Sequence, residues 1–197
     1  MAPSPAASGK QISPLPTIRT FVTTHESSTG LATLHSEKDA EWDAFRDGAV
    51  AMSAVYTTSS FPPSLNEDAD IKAHAEVLAS GNLGLVNPGG TVCRYVDFCP
   101  GNIPAMHRTQ SLDFGILLEG TIEMMLDSGV VRTLRRGDIA VQRATMHAWR
   151  NPSKTEWARM VFVLQDCQPL KVGDGFLEED IANVSEVPPS RRETKLA

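Results

Sequence analysis

The sequence lacks the features that define several large classes of protein. It contains no apolar run long enough to cross a bilayer. Residues 1–16 have no central apolar run, so we expect no secretory signal. They contain one lysine and no arginine, so we expect no transit peptide either. The 3 cysteines (Cys93, Cys99 and Cys167) have no C-x-x-C spacing, which argues against a disulfide framework or a zinc knuckle. These absences favour reduced thiols in a cytoplasmic protein.

Positive charge is also scarce. The 197 residues include 18 Lys and Arg against 24 Asp and Glu, which gives a net charge of −6. Nucleic acids and anionic membrane surfaces attract clustered basic residues, so neither is an expected partner. Apolar residues make up 41% of the chain, which is ordinary for a globular protein. The length suits one well-packed domain, and the expected partner is a small molecule.

The order of turn residues and apolar alternation divides the chain into four parts. Residues 1–16 are rich in Pro, Ser and Ala and are predicted to be disordered. Residues 17–82 predict N-terminal strands and a helix that pack on the core, and residues 171–197 predict a C-terminal strap and tail. Between them, residues 83–170 carry short strands separated by Gly, Pro and Asp turns, which is typical of an all-β sandwich or barrel.

Three local predictions fall within the N-terminal part. A hairpin is predicted over residues 18–35, where two β-branched segments flank a turn cluster that ends at Gly30. A short helix is predicted after Ser36, because Trp42 and Phe45 follow at helical spacing. A longer helix is predicted over residues 66–80, with Asn66 as its cap and acidic residues in its first turn.

The stretch from residue 101 to residue 151 carries the candidate catalytic and metal-binding residues. His107 and His147 each end a predicted strand and would meet if those strands are neighbours. His107, Thr109 and Asp113 occupy odd positions and would share one face of a strand. Polar side chains on the inner face of a small barrel are unusual, so they form either a hydrogen-bonded network or a metal site. Two imidazoles and one carboxylate suit Fe(II), and also Zn, Mn, Co or Ni.

Further residues of the same stretch are predicted to line the pocket. Gln142 and Arg143 precede His147, and Trp149 would share the face of His147 and form a pocket wall. Together with Thr109 they make up the predicted substrate-binding set. The other histidines (His25, His35 and His74) are predicted to lie at the surface.

These motifs resemble those of the cupin superfamily. The first cupin motif, G(X)5HXH(X)3-4E(X)6G, matches from Gly101 through His107 to Gly120, with Thr109 in place of the second histidine and Asp113 in place of the glutamate. In the second motif Gly137 is the opening glycine, and His147 and Asn151 keep the H(X)3N spacing. The sequence pattern HRTxSxD … VQRxTxHAWRN is similar to that of small single-domain cupins frequent in fungi. The genes of some of these cupins lie beside secondary-metabolite genes.

The resemblance implies an all-β cupin barrel of the jelly-roll type with one or two peripheral helices, and a homodimer formed through the N-terminal strands. Metal cupins typically use three histidines and a glutamate. In this chain His107, Asp113 and His147 are therefore the candidate ligands of a divalent ion (Fe, Zn, Mn or Ni). The alternative is a hydrogen-bonded network without metal. No organic cofactor is expected.

The function implied is that of a small-molecule enzyme of secondary metabolism that acts on a carbonyl, carboxylate or phenolic metabolite. The first hypothesis is a non-redox lyase or isomerase step, namely decarboxylation, dehydration, isomerisation or cyclisation, in which His107, Asp113 or His147 moves the proton. Two alternatives stay open: an Fe(II)-dependent dioxygenase, and a cupin that binds a ligand without catalysis.

Overall fold

The structure is a computed structural model and describes residues 9–190. Strands dominate this part of the chain, as the turn pattern predicted. They are β1 (Arg19–His25), β2 (Ala32–Asp39), β3 (Asp43–Phe45), β4 (Val50–Thr58), β5 (Thr91–Phe98), β6 (Ser111–Glu119), β7 (Thr121–Leu126), β8 (Val131–Arg135), β9 (Ile139–Arg143), β10 (His147–Arg150), β11 (Ala158–Asp166), β12 (Leu170–Val172) and β13 (Gly175–Leu177).

Two antiparallel sheets enclose one apolar core. The larger sheet has six strands in the order β3-β4-β5-β11-β6-β9, and the smaller has three in the order β10-β7-β8. Core residues come from both sheets, for example Val96 and Met160 from the larger sheet and Ile122 and Leu134 from the smaller one. The prediction of an all-β architecture is therefore confirmed.

The register of the larger sheet decides which side chains face the core. Arg94 of β5 lies opposite Phe162 of β11, which lies opposite Gly115 of β6. In the neighbouring row, Leu164 of β11 lies opposite Asp113 of β6. Side chains alternate between the two faces of a strand. This alternation directs Asp113 and Arg94 to the inner face, among the apolar residues of the core.

The N-terminal hairpin is confirmed, but the helix predicted after Ser36 is wrong. Strand β1 pairs with β2, which continues to Asp39, and β3 then pairs with β4 in the larger sheet. Trp42 is buried, and the Arg159 guanidinium lies 5.1 Å from the centre of its ring. A contact with a residue far along the chain therefore outweighs the helical spacing of two aromatic residues.

The helix predicted over residues 66–80 is present as α1 (Ala69–Ala79), but Asn66 does not cap it. A 3₁₀ turn, Asn66–Asp68, precedes α1, and neither Asn66 nor Asp68 makes a capping hydrogen bond through its side chain. His74, predicted at the surface, is half-buried against β4, where its Nδ1 lies 3.0 Å from the Thr57 hydroxyl. No helix within residues 9–190 is long and apolar enough to span a membrane.

The chain after β11 crosses the open end of the two-sheet core. It contains the β12–β13 hairpin and a 3₁₀ turn, Ala182–Val184. The backbones of Arg108 and Asp180 exchange two hydrogen bonds of 2.8 and 2.9 Å, and the Val187 side chain is buried in the core. This segment, residues 178–187, is called the strap below.

The tail prediction for residues 191–197 and the disorder prediction for residues 1–8 lie outside the described residues. Residues 9–16 are described and lie against the barrel, where Gly9 pairs with Trp42, the Ser13 hydroxyl donates to Asp97 and the Pro16 carbonyl accepts from Arg159.

Candidate functional site

His107 and His147 face each other across two adjoining segments. The amide of each donates to the carbonyl of the other over 2.9 Å, which is the pattern of a hydrogen-bonded antiparallel pair. Their side chains therefore emerge together, and the ring centres lie 4.5 Å apart at an interplanar angle of 49°. The expectation that the two histidines meet holds in the structure.

A backbone carbonyl fixes the orientation of each imidazole. The Nδ1 of His107 lies 3.0 Å from the carbonyl oxygen of Ala105, and the Nδ1 of His147 lies 2.8 Å from that of Thr145. A carbonyl can only accept, so each Nδ1 carries the proton. This leaves the lone pair on Nε2, and neither Nε2 makes a hydrogen bond within the described residues. Each ring thus offers a free nitrogen that can accept a proton or bind a cation.

Both imidazoles are neutral in this environment. Burial lowers the pKa of His107, and the hydrogen bond to the Ala105 carbonyl only partly opposes this. Burial, reinforced by the neighbouring His107, lowers the pKa of His147 to about 3. Both rings are therefore uncharged near neutral pH.

Asp113 is a buried carboxyl on the inner face of β6. Its Oδ2 accepts from the Thr109 hydroxyl over 3.3 Å, and the Ser111 hydroxyl donates to Thr109 over 2.8 Å. Its Oδ1 has no hydrogen-bond partner. Burial raises the pKa of Asp113 to about 6, while Ser111, Thr109 and the charge of Arg94 act in the opposite direction. Asp113 can therefore hold a proton near neutral pH, which an ordinary carboxyl cannot.

His107, His147 and Asp113 line one cavity of about 150 Å³. An engineered apolar cavity of similar size admits a benzene ring. The cavity walls come from both sheets and from the strap. Among the side chains that line it are Met52, Leu85, Val96, Phe98, Trp149, Phe162, Leu164, Asn183, Val184 and Val187. Most of them are apolar, so a ligand in the cavity is largely removed from water.

The predicted substrate-binding residues separate into two groups. Thr109 and Trp149 line the cavity, and the ring of Trp149 meets His147 edge-on at 5.5 Å. Gln142 and Arg143 do not line it. Gln142 is buried behind it, where its amide nitrogen lies 3.0 Å from the Met124 sulfur and its oxygen accepts from the Thr145 hydroxyl. Arg143 is exposed on the outer side of β9 and borders a separate surface groove.

Arg94 is a cavity residue that the sequence analysis missed. It lies on the inner face of β5, and its guanidinium donates to the carbonyls of Gly84 and Leu85 over 2.6 and 3.0 Å. The sequence nevertheless contains a pattern that indicates this position. In β5, Val92, Arg94, Val96 and Phe98 fall on one face, so a single cation interrupts an apolar row.

The motif position Asn151 is structural. Its amide nitrogen donates to the carbonyls of Phe98 and Glu156, and its backbone amide donates to the Asn102 side chain over 2.7 Å. In the turn that links β9 to β10, Ala144 takes a positive φ of 51°, and its amide donates to the Ser111 carbonyl. This turn lets the chain leave β9 and enter β10, so that His147 comes opposite His107.

The candidate ligands differ from the donor set of a complete metal centre. Within residues 9–190, no three His, Cys, Asp or Glu side chains lie in a metal-binding arrangement. The two Nε2 atoms are suitable donors, but Asp113 is not placed with them as a third ligand. The binding of a divalent ion by His107, Asp113 and His147 stays a prediction.

The fold and the cavity together define the class of protein. The chain is a β-barrel protein in which two antiparallel sheets enclose an apolar interior, and polar side chains form a site inside it. No protein-family model matches the chain. The chain is 39% identical to oryzines biosynthesis cluster protein J of Aspergillus oryzae over 171 residues, which are 86% of this chain and 94% of that protein. It is 32% identical to the cupin-domain-containing oxidoreductase srdB of Neurospora crassa over 161 residues, which are 82% of this chain and 80% of that protein.

Among solved structures, an RmlC-like cupin from Shewanella frigidimarina is 12% identical, with a TM-score of 0.41 over 66% of this chain and 86% of that chain. The likeness to the Neurospora protein extends over most of both chains. The chain belongs to the cupin-domain family, and the resemblance inferred from its two motifs is confirmed.

Proposed function

We propose that this cupin is an enzyme of secondary metabolism that moves a proton on a small carbonyl, carboxylate or phenolic substrate, in a non-redox lyase or isomerase step. One observation carries the proposal. Two neutral imidazoles with free Nε2 atoms and a buried carboxyl of raised pKa line the same small cavity. The name of the Aspergillus relative, a biosynthesis cluster protein, supports the metabolic setting.

The three groups have complementary roles in this chemistry. The Nε2 of His107 accepts a proton from the substrate, because its lone pair is free while Nδ1 is held by the Ala105 carbonyl. The Asp113 carboxyl, with a pKa of about 6, donates a proton to a carbonyl oxygen or a departing hydroxyl. Carbonyl hydrogen bonds hold the imidazoles in place, so no reorientation precedes transfer. The apolar walls exclude water and thereby strengthen these polar interactions.

The proposal can be tested without knowing the natural substrate. The protein is incubated in D₂O with a panel of small 2-oxo and 3-oxo acids, and deuterium at the acidic carbon is measured by mass spectrometry. We expect exchange above the buffer rate, and its loss in His107→Ala and Asp113→Asn. His35→Ala, which changes an exposed histidine far from the cavity, is the matched control and should exchange like the wild type. Exchange unaffected by the cavity substitutions would contradict the proposal.

An oxidoreductase is the second candidate, and the name of the Neurospora relative favours it. Two adjacent free Nε2 atoms also suit Fe(II) when further ligands come from substrate and water. Protein purified without chelator is analysed for metals, and oxygen uptake is followed with each acid. Stoichiometric iron with substrate-dependent uptake that is lost in His147→Ala would favour this candidate. Tight binding of a panel member with neither exchange nor uptake would favour a cupin that only binds its ligand.

A further inference from the structure

Arg94 is a buried cation without a matching anion. Its side chain is only 6% exposed and lines the cavity that holds His107 and His147. None of the ion pairs within residues 9–190 includes it. Burial lowers the pKa of Arg94 to about 10, so the guanidinium remains charged at neutral pH. A charge removed from water costs several kcal/mol unless an opposite charge or a full set of hydrogen bonds compensates it.

The hydrogen bonds of Arg94 satisfy only one side of its guanidinium. One terminal nitrogen donates to the carbonyls of Gly84 and Leu85, and the other lies 3.6 Å from the Met52 sulfur. The Nε atom is buried and has no partner. Five N–H donors are available in arginine, and an unused one in an apolar site is a lost interaction. The carbonyl contacts fix the position of the guanidinium in the wall of the cavity that Arg94 lines.

The cavity holds one further polar atom without a partner. Asp113 Oδ1 accepts no hydrogen bond, although Oδ2 is held by Thr109. Asp113 and Arg94 influence each other electrostatically, but they are too far apart to form an ion pair. A donor and a carboxyl oxygen are thus both left unused in the same apolar space. A protein of this size leaves few such atoms, and they concentrate where a ligand completes the hydrogen bonding.

We propose that Arg94 anchors an anionic oxygen of the substrate, which is therefore a carboxylate on a small, largely apolar skeleton. The proposal rests on the proposed function, because it treats the cavity as the substrate pocket. The carboxylate accepts from the Arg94 guanidinium, and the skeleton lies against Trp149 and Phe162, near the imidazoles. A planar monoanion matches one free donor and about 150 Å³. A phosphate dianion would leave most of its oxygens unpaired in apolar surroundings.

Matched probes of equal shape test the wild-type protein directly. Benzoate and benzamide, and phenylacetate and phenylacetamide, are titrated by calorimetry near neutral pH, where each acid is ionised. We expect each carboxylate to bind roughly tenfold or more tightly than its amide, as for a charge-assisted hydrogen bond. Equal affinity within both pairs, or tighter binding of the amides, overturns the assignment. Failure of both carboxylates to bind also overturns it.

Variants then assign the preference to Arg94. Arg94→Met removes the charge with a side chain of similar length and should abolish the preference for carboxylates while amide binding persists. Arg94→Lys keeps a charge without the planar Nε and should retain part of the preference. Arg132→Met, at an exposed arginine of β8, is the control for loss of one positive charge and should bind like the wild type. An unchanged preference in folded Arg94→Met would overturn the role of Arg94.

The outcomes separate this proposal from the proposed function. If the preference depends on Arg94 but the histidine substitutions leave deuterium exchange intact, the anion anchor stands and the catalytic assignment fails. If exchange requires His107 but the probes show no preference for carboxylates, the catalytic assignment stands and the anchor fails.

Discussion

The Nδ1 atoms of His107 and His147 each donate to the carbonyl of the residue two positions earlier in the chain. The same tautomer results in both rings, because both donate through Nδ1. The backbone pairing of the two residues holds the rings 4.5 Å apart. Two positive imidazolium rings at this distance would repel each other in an apolar site. The neutral state of the pair is therefore a property of the fold.

The first prediction concerns stability at acid pH. The pKa of His147 is about 3 in the folded protein against 6.5 for an ordinary histidine, so below pH 6.5 the unfolded chain binds a proton that the folded chain does not. The free energy of unfolding therefore falls as the pH drops from 6.5 towards 3. Between pH 7 and pH 5, His147 should account for a loss of about 2 kcal/mol.

Urea unfolding of the wild type and of His147→Gln at pH 7 and pH 5 measures this effect. The glutamine does not titrate, so the variant should lose less stability than the wild type over this interval. A parallel measurement on His35→Ala, an exposed site, should reproduce the wild-type loss. Identical losses in the wild type and His147→Gln would show that His147 is not held neutral.

The second prediction concerns Asp113, whose contribution to the stability of the folded protein falls as the pH rises. Its pKa is raised from 3.8 to about 6, so the folded protein favours the protonated form, and that stabilisation is lost as the pH rises through 6. Asp113→Asn cannot ionise, so it should gain about 2 kcal/mol relative to the wild type between pH 4 and pH 8. Chemical unfolding at these two values tests the trend. A difference between the two proteins that does not change with pH would contradict the raised pKa.

The sequence predicts the strands well where local alternation and turns determine them, as in the hairpin predicted over residues 18–35, which the structure forms from β1 and β2. It fails where distant residues decide the structure. The spacing of Trp42 and Phe45 indicates a helix, but the contact between Trp42 and Arg159 and the pairing of β3 with β4 give a strand. Local spacing carries no information about either contact.

The candidate site shows the same division. His107, Thr109, Asp113 and His147 were identified because their spacing matches a motif, and all four line the cavity. Arg94 belongs to no motif and precedes the first motif in the chain. The strap residues that cover the cavity lie more than thirty positions after His147. Their position follows from the tertiary fold, so no pattern near the motifs could reveal it.

The third prediction concerns the ion pair of Arg159 and Asp97, which joins β11 to β5. Both residues are buried, and Arg159 donates to both carboxylate oxygens over 2.6 and 2.7 Å and to the Pro16 carbonyl over 2.6 Å. Arg159→Met leaves the Asp97 carboxylate buried without a cation, which should cost about 3–5 kcal/mol in urea unfolding. The matched control is Arg150→Met, because Arg150 pairs with Glu123 and its side chain is 43% exposed. This variant should cost less than about 1 kcal/mol. Similar costs for the two variants would show that burial does not strengthen the pair.

The fourth prediction concerns the packing of Phe162 against Gly115. A Cβ at Gly115 would lie 2.8 Å from Cε1 of the Phe162 ring, so Gly115→Ala must push that ring towards the cavity. We expect a loss of about 1–3 kcal/mol in stability and weaker benzamide binding. Combining Gly115→Ala with Phe162→Leu should restore part of the stability and part of the benzamide binding, since the smaller side chain removes the clash. Gly175→Ala, where a Cβ meets nothing within 4 Å, should behave like the wild type. Undiminished benzamide binding in Gly115→Ala would contradict the placement of Phe162 in the cavity wall.

The fifth prediction concerns the β1–β2 hairpin, which carries the predicted dimer contact. Phe21 and Leu34 are 55% and 51% exposed, so the arm offers apolar surface that a second subunit would cover. The Ala40 amide donates to the Ile18 carbonyl over 3.0 Å, so the ends of the hairpin are close enough to be joined by two glycines. Replacing residues 19–39 in this way removes the arm but keeps the contacts of Ser13 and Pro16 with the core.

Light scattering on both proteins tests the arm. We expect twice the chain mass for the wild type and the single-chain mass for the shortened protein, with unchanged thermal unfolding of the barrel at high dilution. Phe21→Ser combined with Leu34→Ser should also weaken the dimer, because it removes apolar surface while leaving the strand pairing in place. A shortened protein that remains dimeric, or a wild type that is monomeric, would show that the exposed apolar residues of the arm do not join two subunits.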